Sequence, residues 1–474
     1  MSSEDVPQQI EQMEIAQNQE KTKMTVADEA QATVSNEENA DAAVTVNQTN
    51  FVTPDDDLHD IHPYRDRHFN EEKIPNLLVN VLKQLKPGVD LTRVTLPTFI
   101  LEPRSLLEKW GDFVAFPLDV FCAANEPDKD RRFLFTCAWF MSGFSLLPKH
   151  VRKPYNPILG EMFRFYLDHE AHPFPQAHPH DAEYDMSQIA GVKHNPTVYI
   201  AEQVSHHPPI SAFYISNRKA GFVAEGWVYT RSKFTGNSAG SIMEGRARLH
   251  LLKFGDVYEC TFPSAFMRNV IVGNYHMEIT GSMDCCCVEQ NLRAHLEFKP
   301  KPILGGKKGN LRGSLKRDGR VLYNIDGNYL DKTYASKPSA PKDKIVLSDS
   351  ANVNAWTAKT VGRVANLEPN ESRRLWSGVT RALNACPADY DAATVDKTRL
   401  EDEQRAAAAE RQKTNSAWVP KLFSEGAWES SSDGLSAPCR ADWTYIHRDV
   451  SPYTEGDDGD AALATAAIID RQRV

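Results

Sequence analysis

Between Val198 and Tyr334 the chain alternates short β-favouring runs with turn residues, a pace that only antiparallel strands can follow. Val198–Val204, Ile210–Ser216, Gly221–Tyr229, Ser241–Leu252, Asp256–Phe262, Tyr275–Gly281, Asp284–Leu292, His295–Phe298, Asn310–Arg317 and Arg320–Tyr329 read as strands. Asn217–Gly221, Asp318-Gly319 and Asp326-Gly327 punctuate them with residues suited to tight turns. So many strands in one run predict a barrel or a strongly curled sheet. A barrel of this size encloses more space than its own side chains fill.

Helical patterns flank the strands, which makes the expected class α+β. Ile74, Leu77, Leu78, Val81, Leu82 and Leu85 recur at helical spacing, with Pro75 in the first turn and Pro87-Gly88 at the end. Asp112–Asn125 and Asp128–Leu146 are predicted to form a packed helical subdomain beside the barrel. Residues 351–425 turn helical again. Glu368–Trp376 leads into a helix ending near Leu383, and a long helix opens at Thr394 and runs on through four alanines.

Charge and composition mark the tails. Residues 1–60 carry fourteen acidic side chains against Lys21 and Lys23, so the net charge of −10 lies in this segment and the remainder stands at +2. Residues 1–50 contain no aromatic side chain and cannot bury enough apolar surface to offset ordering. We therefore read 1–65 as a disordered acidic tail, 66–425 as one domain, and 426–474 as a weakly ordered tail. A near-neutral domain argues against a nucleic-acid partner. Neither a leader nor a bilayer-spanning run is evident, so the chain is expected to work from solution in the cytoplasm. The eight cysteines show no zinc spacing, although Cys285–Cys287 are consecutive, and free thiols are expected. His169, His172, His178 and His180 fall in a polar, proline-containing stretch read as an inserted surface loop. Irregular spacing and the lack of cysteine there argue against a metal site.

Three polar constellations remain. Glu202-Gln203-Val204-Ser205-His206-His207-Pro208-Pro209 places two imidazoles where a strand should end, because proline donates no ladder hydrogen bond. Arg152-Lys153-Pro154-Tyr155-Asn156-Pro157-Ile158-Leu159-Gly160-Glu161 is a loop stiffened by two prolines, with Lys153 supplying charge and Asn156 both a donor and an acceptor. Lys397, Glu401 and Arg405 share one helix face at i, i+4 and i+8.

Together with Asp90–Pro103 and Glu368–Trp376, these motifs resemble the oxysterol-binding-protein-related family of lipid transfer proteins over about residues 71–425. The wording of Asp90–Pro103 is closest to the branch that carries phosphatidylserine. The resemblance implies a nearly closed antiparallel β-barrel around a lipid tunnel, with the helix at 71–87 as its lid. It further implies a phosphatidylinositol 4-phosphate head group held by Lys153, Asn156, His206, His207, Lys397, Glu401 and Arg405. Phosphatidylserine would be read by Leu96, Lys153, Asn156 and Ser232. The two lipids would exchange through one cavity, in which each buried CH₂ contributes about 0.8 kcal/mol. Sterol is the alternative second ligand.

The chain is expected to be a monomer, with no cofactor, meeting anionic membranes peripherally at contacts between endoplasmic reticulum and plasma membrane. Lys299, Lys301, Lys307, Lys308, Arg312 and Lys316 are a candidate docking patch. The rival class is a phosphoesterase using the histidine pair, but no motif supplies a carboxylate set to accompany it. A lipid sensor that binds without transferring is the third possibility.

Overall fold

A computed structural model describes residues 97–146, 152–167, 169, 177–178, 181–185, 196–271, 275–302, 305–350, 359–362, 364–385, 387–428 and 441–446. The expected lid at 71–87, Leu96 and the tail at 1–65 lie outside these residues.

The chain enters through β1 (Leu101–Ser105) and α1 (Leu106–Trp110), capped by the Ser105 hydroxyl on the Leu107 amide. Helices α2 (Leu118–Asn125) and α3 (Lys129–Ser142) follow, close to the predicted subdomain. Short β2 (Lys153–Tyr155) runs parallel to β1.

The main sheet then begins with β3 (Met162–Leu167). After the small hairpin β4 (Ala177–His178) and β5 (Asp181–Asp185) come β6 (Thr197–His206), β7 (Pro209–Asn217), β8 (Phe222–Phe234) and β9 (Ser238–Leu251). Next are β10 (Asp256–Thr261), β11 (Ser264–Arg268), β12 (His276–Cys287), β13 (Leu292–Phe298), β14 (Asn310–Arg317) and β15 (Arg320–Asn328). Two strands that the sequence pattern does not predict, β16 (Lys332–Lys337) and β17 (Ala340–Asp349), extend the sheet, and β18 (Lys359–Thr360) pairs with β3.

The result is a fourteen-stranded sheet running from β17 to β18, with β10 and β11 together filling the place between β9 and β12. Neighbouring strands throughout it run antiparallel. Among the described residues β17 and β18 do not pair with each other, so the sheet has two ends and is not fully closed.

Side-chain alternation divides the sheet into two faces. The inner face carries Tyr199 and Ala201 on β6, Ala224 and Val228 on β8, Leu249 on β9 and Leu296 on β13, and it packs against α2 and α3. The outer face of β6–β8 buries Ile200, Tyr214 and Trp227 under β19 (Phe423–Gly426) and β20 (Asp442–Tyr445). Asp442 accepts from the Trp227 indole at 3.0 Å and the Arg246 guanidinium at 2.9 Å. Residues 442–445 are therefore built into the domain, which corrects their assignment to a weakly ordered tail.

On the far side of the site, α4 (Ser372–Leu375), α5 (Ser377–Asn384) and α6 (Tyr390–Lys413) pack Trp376, Val379, Leu383 and Leu400 against β1 and β2. The Asp389 carboxylate caps α6, which starts four residues before the expected Thr394.

Two further expectations are corrected. Cys260 and Cys285 face each other across β10 and β12 and are joined by a disulfide, whereas Cys122, Cys137, Cys286 and Cys287 keep their thiols and are buried. His169 is buried, edge-on to Phe121, with its Nε2 2.8 Å from the Thr197 hydroxyl, so it belongs to the core and not to a surface loop.

Candidate functional site

The end of β6 is where the three polar constellations meet. His206 is the last residue of β6 and Pro209 the first of β7, so the two prolines turn the ladder instead of stopping it. The His207–Pro208 peptide is cis. The two imidazoles lie edge to face, with centroids 4.7 Å apart. His206 Nδ1 is 3.1 Å from the Pro157 carbonyl. A carbonyl only accepts, so Nδ1 carries the hydrogen and, in the neutral ring, Nε2 carries none. Burial pushes the His206 pKa below the usual imidazole range, and the His207 ring reinforces this. The Pro157 carbonyl and Glu401 pull the other way.

Pro157 belongs to the loop that follows β2, and contacts at both ends anchor this loop. Tyr155 stacks on Trp376 at 4.7 Å and meets the Thr380 hydroxyl at 3.0 Å. Gly160 takes a positive φ of 77° and donates to the Gln203 carbonyl, and its missing Cβ leaves room for the Trp418 ring. Lys153 is half-buried on β2, and Asn156 is exposed at the loop tip, next to Pro157.

Two carboxylates to which the sequence pattern assigns no role sit beneath this loop. Glu161 is fully buried. Its Oε1 accepts from the hydroxyls of Ser105 and Ser372, the latter at 2.7 Å, and its Oε2 accepts from the Trp376 indole at 2.9 Å and the Ile158 amide at 3.1 Å. Glu202, also fully buried, accepts from the amides of Lys421 and Leu422 at 2.9 and 2.8 Å. Burial raises the pKa of both, and the donors oppose it. A glutamate inside an otherwise apolar strand was the signal for Glu202, because such a group stays buried only with partners. No comparable cue marks Glu161, whose partners are spread over more than 250 residues of sequence.

Helix α6 supplies the third wall. Lys397 pairs with Glu401 at 2.8 Å, and Glu401 lies near enough to His206 to favour its protonated ring. Arg405 departs from the predicted set: it is 64 % exposed and pairs with Asp402 in solvent. Ser232 lies on β8 opposite Ser241 of β9, half-buried, and alternation puts it on the inner face with Ala224 and Val228.

Strand direction places the β13–β14 loop at the same end of the sheet as His206. Lys299, Lys301, Lys307 and Lys308 therefore stand on that rim. Arg312 and Lys316 do not join them: they lie within β14, opposite Glu297 and Arg293 of β13. Among the described residues no group of His, Cys, Asp or Glu could hold a metal, and no helix is long and apolar enough to cross a membrane.

The described residues thus form a large antiparallel sheet with helices packed on one face and imidazoles and cations gathered at one rim. Residues 79–387 match the family model described as oxysterol-binding protein. The chain belongs to the oxysterol-binding protein family.

It is 36% identical over 385 residues to oxysterol-binding protein-related protein 5 of Mus musculus, covering 81% of this chain and 40% of that one. It is 36% identical over 362 residues to oxysterol-binding protein 4 of Dictyostelium discoideum, covering 74% and 72%. The chain thus spans two fifths of the mouse relative. Among solved structures, the Osh1 ORD domain in complex with ergosterol aligns with a TM-score of 0.62 at 20% identity, over 81% of this chain and 90% of that one. The Osh3 ORD in complex with PI(4)P from Saccharomyces cerevisiae aligns at 0.54 and 20% identity, over 82% and 93%. At such identity these two report the fold alone.

Proposed function

We propose that this chain is a lipid transfer protein that takes up phosphatidylinositol 4-phosphate and phosphatidylserine one at a time and exchanges them between membranes. The observation that carries the proposal is the meeting of His206, His207, the Lys153–Pro157 loop and the Lys397–Glu401 turn of α6 at one rim of the sheet. A phosphate monoester near charge −2 is matched by such a set: ammonium groups give charge-assisted bonds, and imidazoles add donors once protonated. Arg405 would join by swinging away from Asp402, an exposed pair of little energetic weight.

The acyl chains would lie along the inner face, whose apolar side chains include Val228, Met243 and Leu296, all buried in this structure. Ser232, facing inward near the same rim, supports phosphatidylserine as the second lipid, with Lys153, Asn156 and Leu96 completing its head-group site. Mutual exclusion in one cavity would let a phosphoinositide gradient drive the second lipid. The rim lysines suit an anionic leaflet, consistent with a peripheral monomer working at contacts between endoplasmic reticulum and plasma membrane.

The test is transfer between liposomes. Labelled phosphatidylserine should move several-fold faster when acceptor vesicles carry phosphatidylinositol 4-phosphate, with no inorganic phosphate released. Mass spectrometry of co-purified lipid should find diacyl glycerophospholipids. Sterol in their place would replace the second ligand, and unaccelerated transfer would remove exchange.

A further inference from the structure

The hydrogen-bond partners of Glu161 join three segments that the site requires and that lie far apart in sequence. Ser105 ends β1, Ile158 belongs to the loop that follows β2, Ser372 starts α4 and Trp376 directly follows its last residue. Both carboxylate oxygens are used twice, and the side chain is fully buried. The chain leaves Glu161 directly into β3, whose first residue, Met162, donates to the Asn370 carbonyl at 2.9 Å, while the Asn370 side-chain amide donates to the Gly160 carbonyl at 2.9 Å. One residue before the bonded Ile158 amide is Pro157, whose carbonyl fixes the His206 ring. Glu161 touches no ligand-facing group itself.

We propose that Glu161 is a positioning residue: by holding the Ile158 amide it sets the Pro157 carbonyl, and the Pro157 carbonyl keeps the hydrogen of neutral His206 on Nδ1. The ring nitrogen turned toward the head group is then an unprotonated Nε2, which becomes a donor only when a phosphate brings a proton with it. This inference rests on the head-group assignment proposed above for its functional consequence, but not for its structural claim.

The groups around the rings and the carboxylate bear on any titration there. His207 lies beside His206, and Glu401 with Lys397 stands on α6. Lys153 lies on β2, and Glu202 lies in β6 with Lys421 at its amide contact.

Position and charge make opposite predictions for two substitutions. In Glu161→Gln the amide oxygen can accept from Trp376 and Ile158 while its NH₂ donates to the hydroxyls of Ser105 and Ser372, since a hydroxyl can turn and accept. The frame survives and the charge is lost. In Glu161→Asp the charge survives, but a side chain one methylene shorter cannot reach all four donors.

The experiment is ¹⁵N NMR of the His206 ring in the full chain. It is coupled to binding of a short-chain phosphatidylinositol 4-phosphate and to vesicles carrying the long-chain lipid. Wild type and Glu161→Gln should both show His206 protonated at Nδ1 at pH 8, with affinities within about threefold of each other. Glu161→Asp should shift His206 toward the Nε2-protonated tautomer and lose tenfold or more in affinity. Should Glu161→Asp not fold, Ser372→Ala removes a single donor and should shift the tautomer in the same direction.

The proposal is overturned if the Asp variant, or Ser372→Ala in its place, keeps the wild-type tautomer. It is equally overturned if Gln loses what Asp retains. A wild-type His206 that is protonated at Nδ1 yet unmoved by the phosphoinositide would instead sink the head-group assignment and leave the positioning claim standing.

Discussion

The two ends of the sheet are built on opposite principles. At the end where β8 and β10 begin, α2 and α3 bring aromatic rings against the inner face. Phe133 stacks on Tyr258 at 5.4 Å, Phe121 meets Phe222 edge-on at 5.6 Å, and Arg132 is held by Asp256 beneath Phe254. At the other end, polar groups of β6 and its surroundings (the buried Glu161, Glu202 and Gln203 and the half-buried His206) are each tied by directional bonds. Apolar packing stabilises in proportion to the area buried and tolerates small displacements. A hydrogen-bonded frame contributes less net stability but fixes positions to within tenths of an ångström. The first end holds the fold, and the second aims side chains.

That contrast can be broken first at the aromatic end, where the energies are greater. Phe133→Ala should lower stability by about 3–5 kcal/mol in urea denaturation. The protein that remains folded should still extract phosphoinositide, and a loss under about 1 kcal/mol would mean that this end is not what holds the sheet.

The double substitution His206→Ala with His207→Ala should do the reverse. Phosphatidylinositol 4-phosphate extraction should fall at least tenfold while phosphatidylserine extraction largely persists, at a stability cost near 1 kcal/mol. Normal extraction by that variant would refute the rim as the phosphate site.

A smaller effect is expected from pH. Burial holds the empty-site His206 pKa below the usual 6.5, and a bound dianion would raise it, so binding takes up a proton. Affinity for the phosphoinositide should therefore rise by up to tenfold per unit as pH falls from about 8 toward 6.5. The gain should vanish in His206→Asn. Flat affinity over that range would show that the ring does not change charge on binding.

The finest probe is Ser232→Ala, which removes the inner-face hydroxyl proposed to meet phosphatidylserine. About 1 kcal/mol corresponds to roughly fivefold weaker phosphatidylserine extraction, with the phosphoinositide unchanged.

Much of the sheet was legible because its strands alternate. β13 exposes every second side chain, and Asn310–Arg317 was placed to the residue. Elsewhere local cues misled. Gly281, at φ 97°, reads as the end of a strand, yet β12 runs on through it. β17 was invisible because Pro341 and the charged run Lys342-Asp343-Lys344 disfavour strand, and an edge position tolerates them. The rim was legible where consecutive residues carry it, as at His206 and His207. Glu161 and the solvent-turned Arg405 were not, because their partners are set by packing between distant segments and by rotamer.

The β19–β20 strap has a practical corollary for anyone choosing where to cut this polypeptide. A boundary after residue 425, natural from sequence, discards Asp442, the acceptor for both the Arg246 guanidinium and the Trp227 indole. It also uncovers Tyr214, on which Tyr445 stacks at 4.4 Å. Such a shortened protein would show water a guanidinium stripped of its main partner and a bare aromatic wall, and aggregation during purification is the expected result.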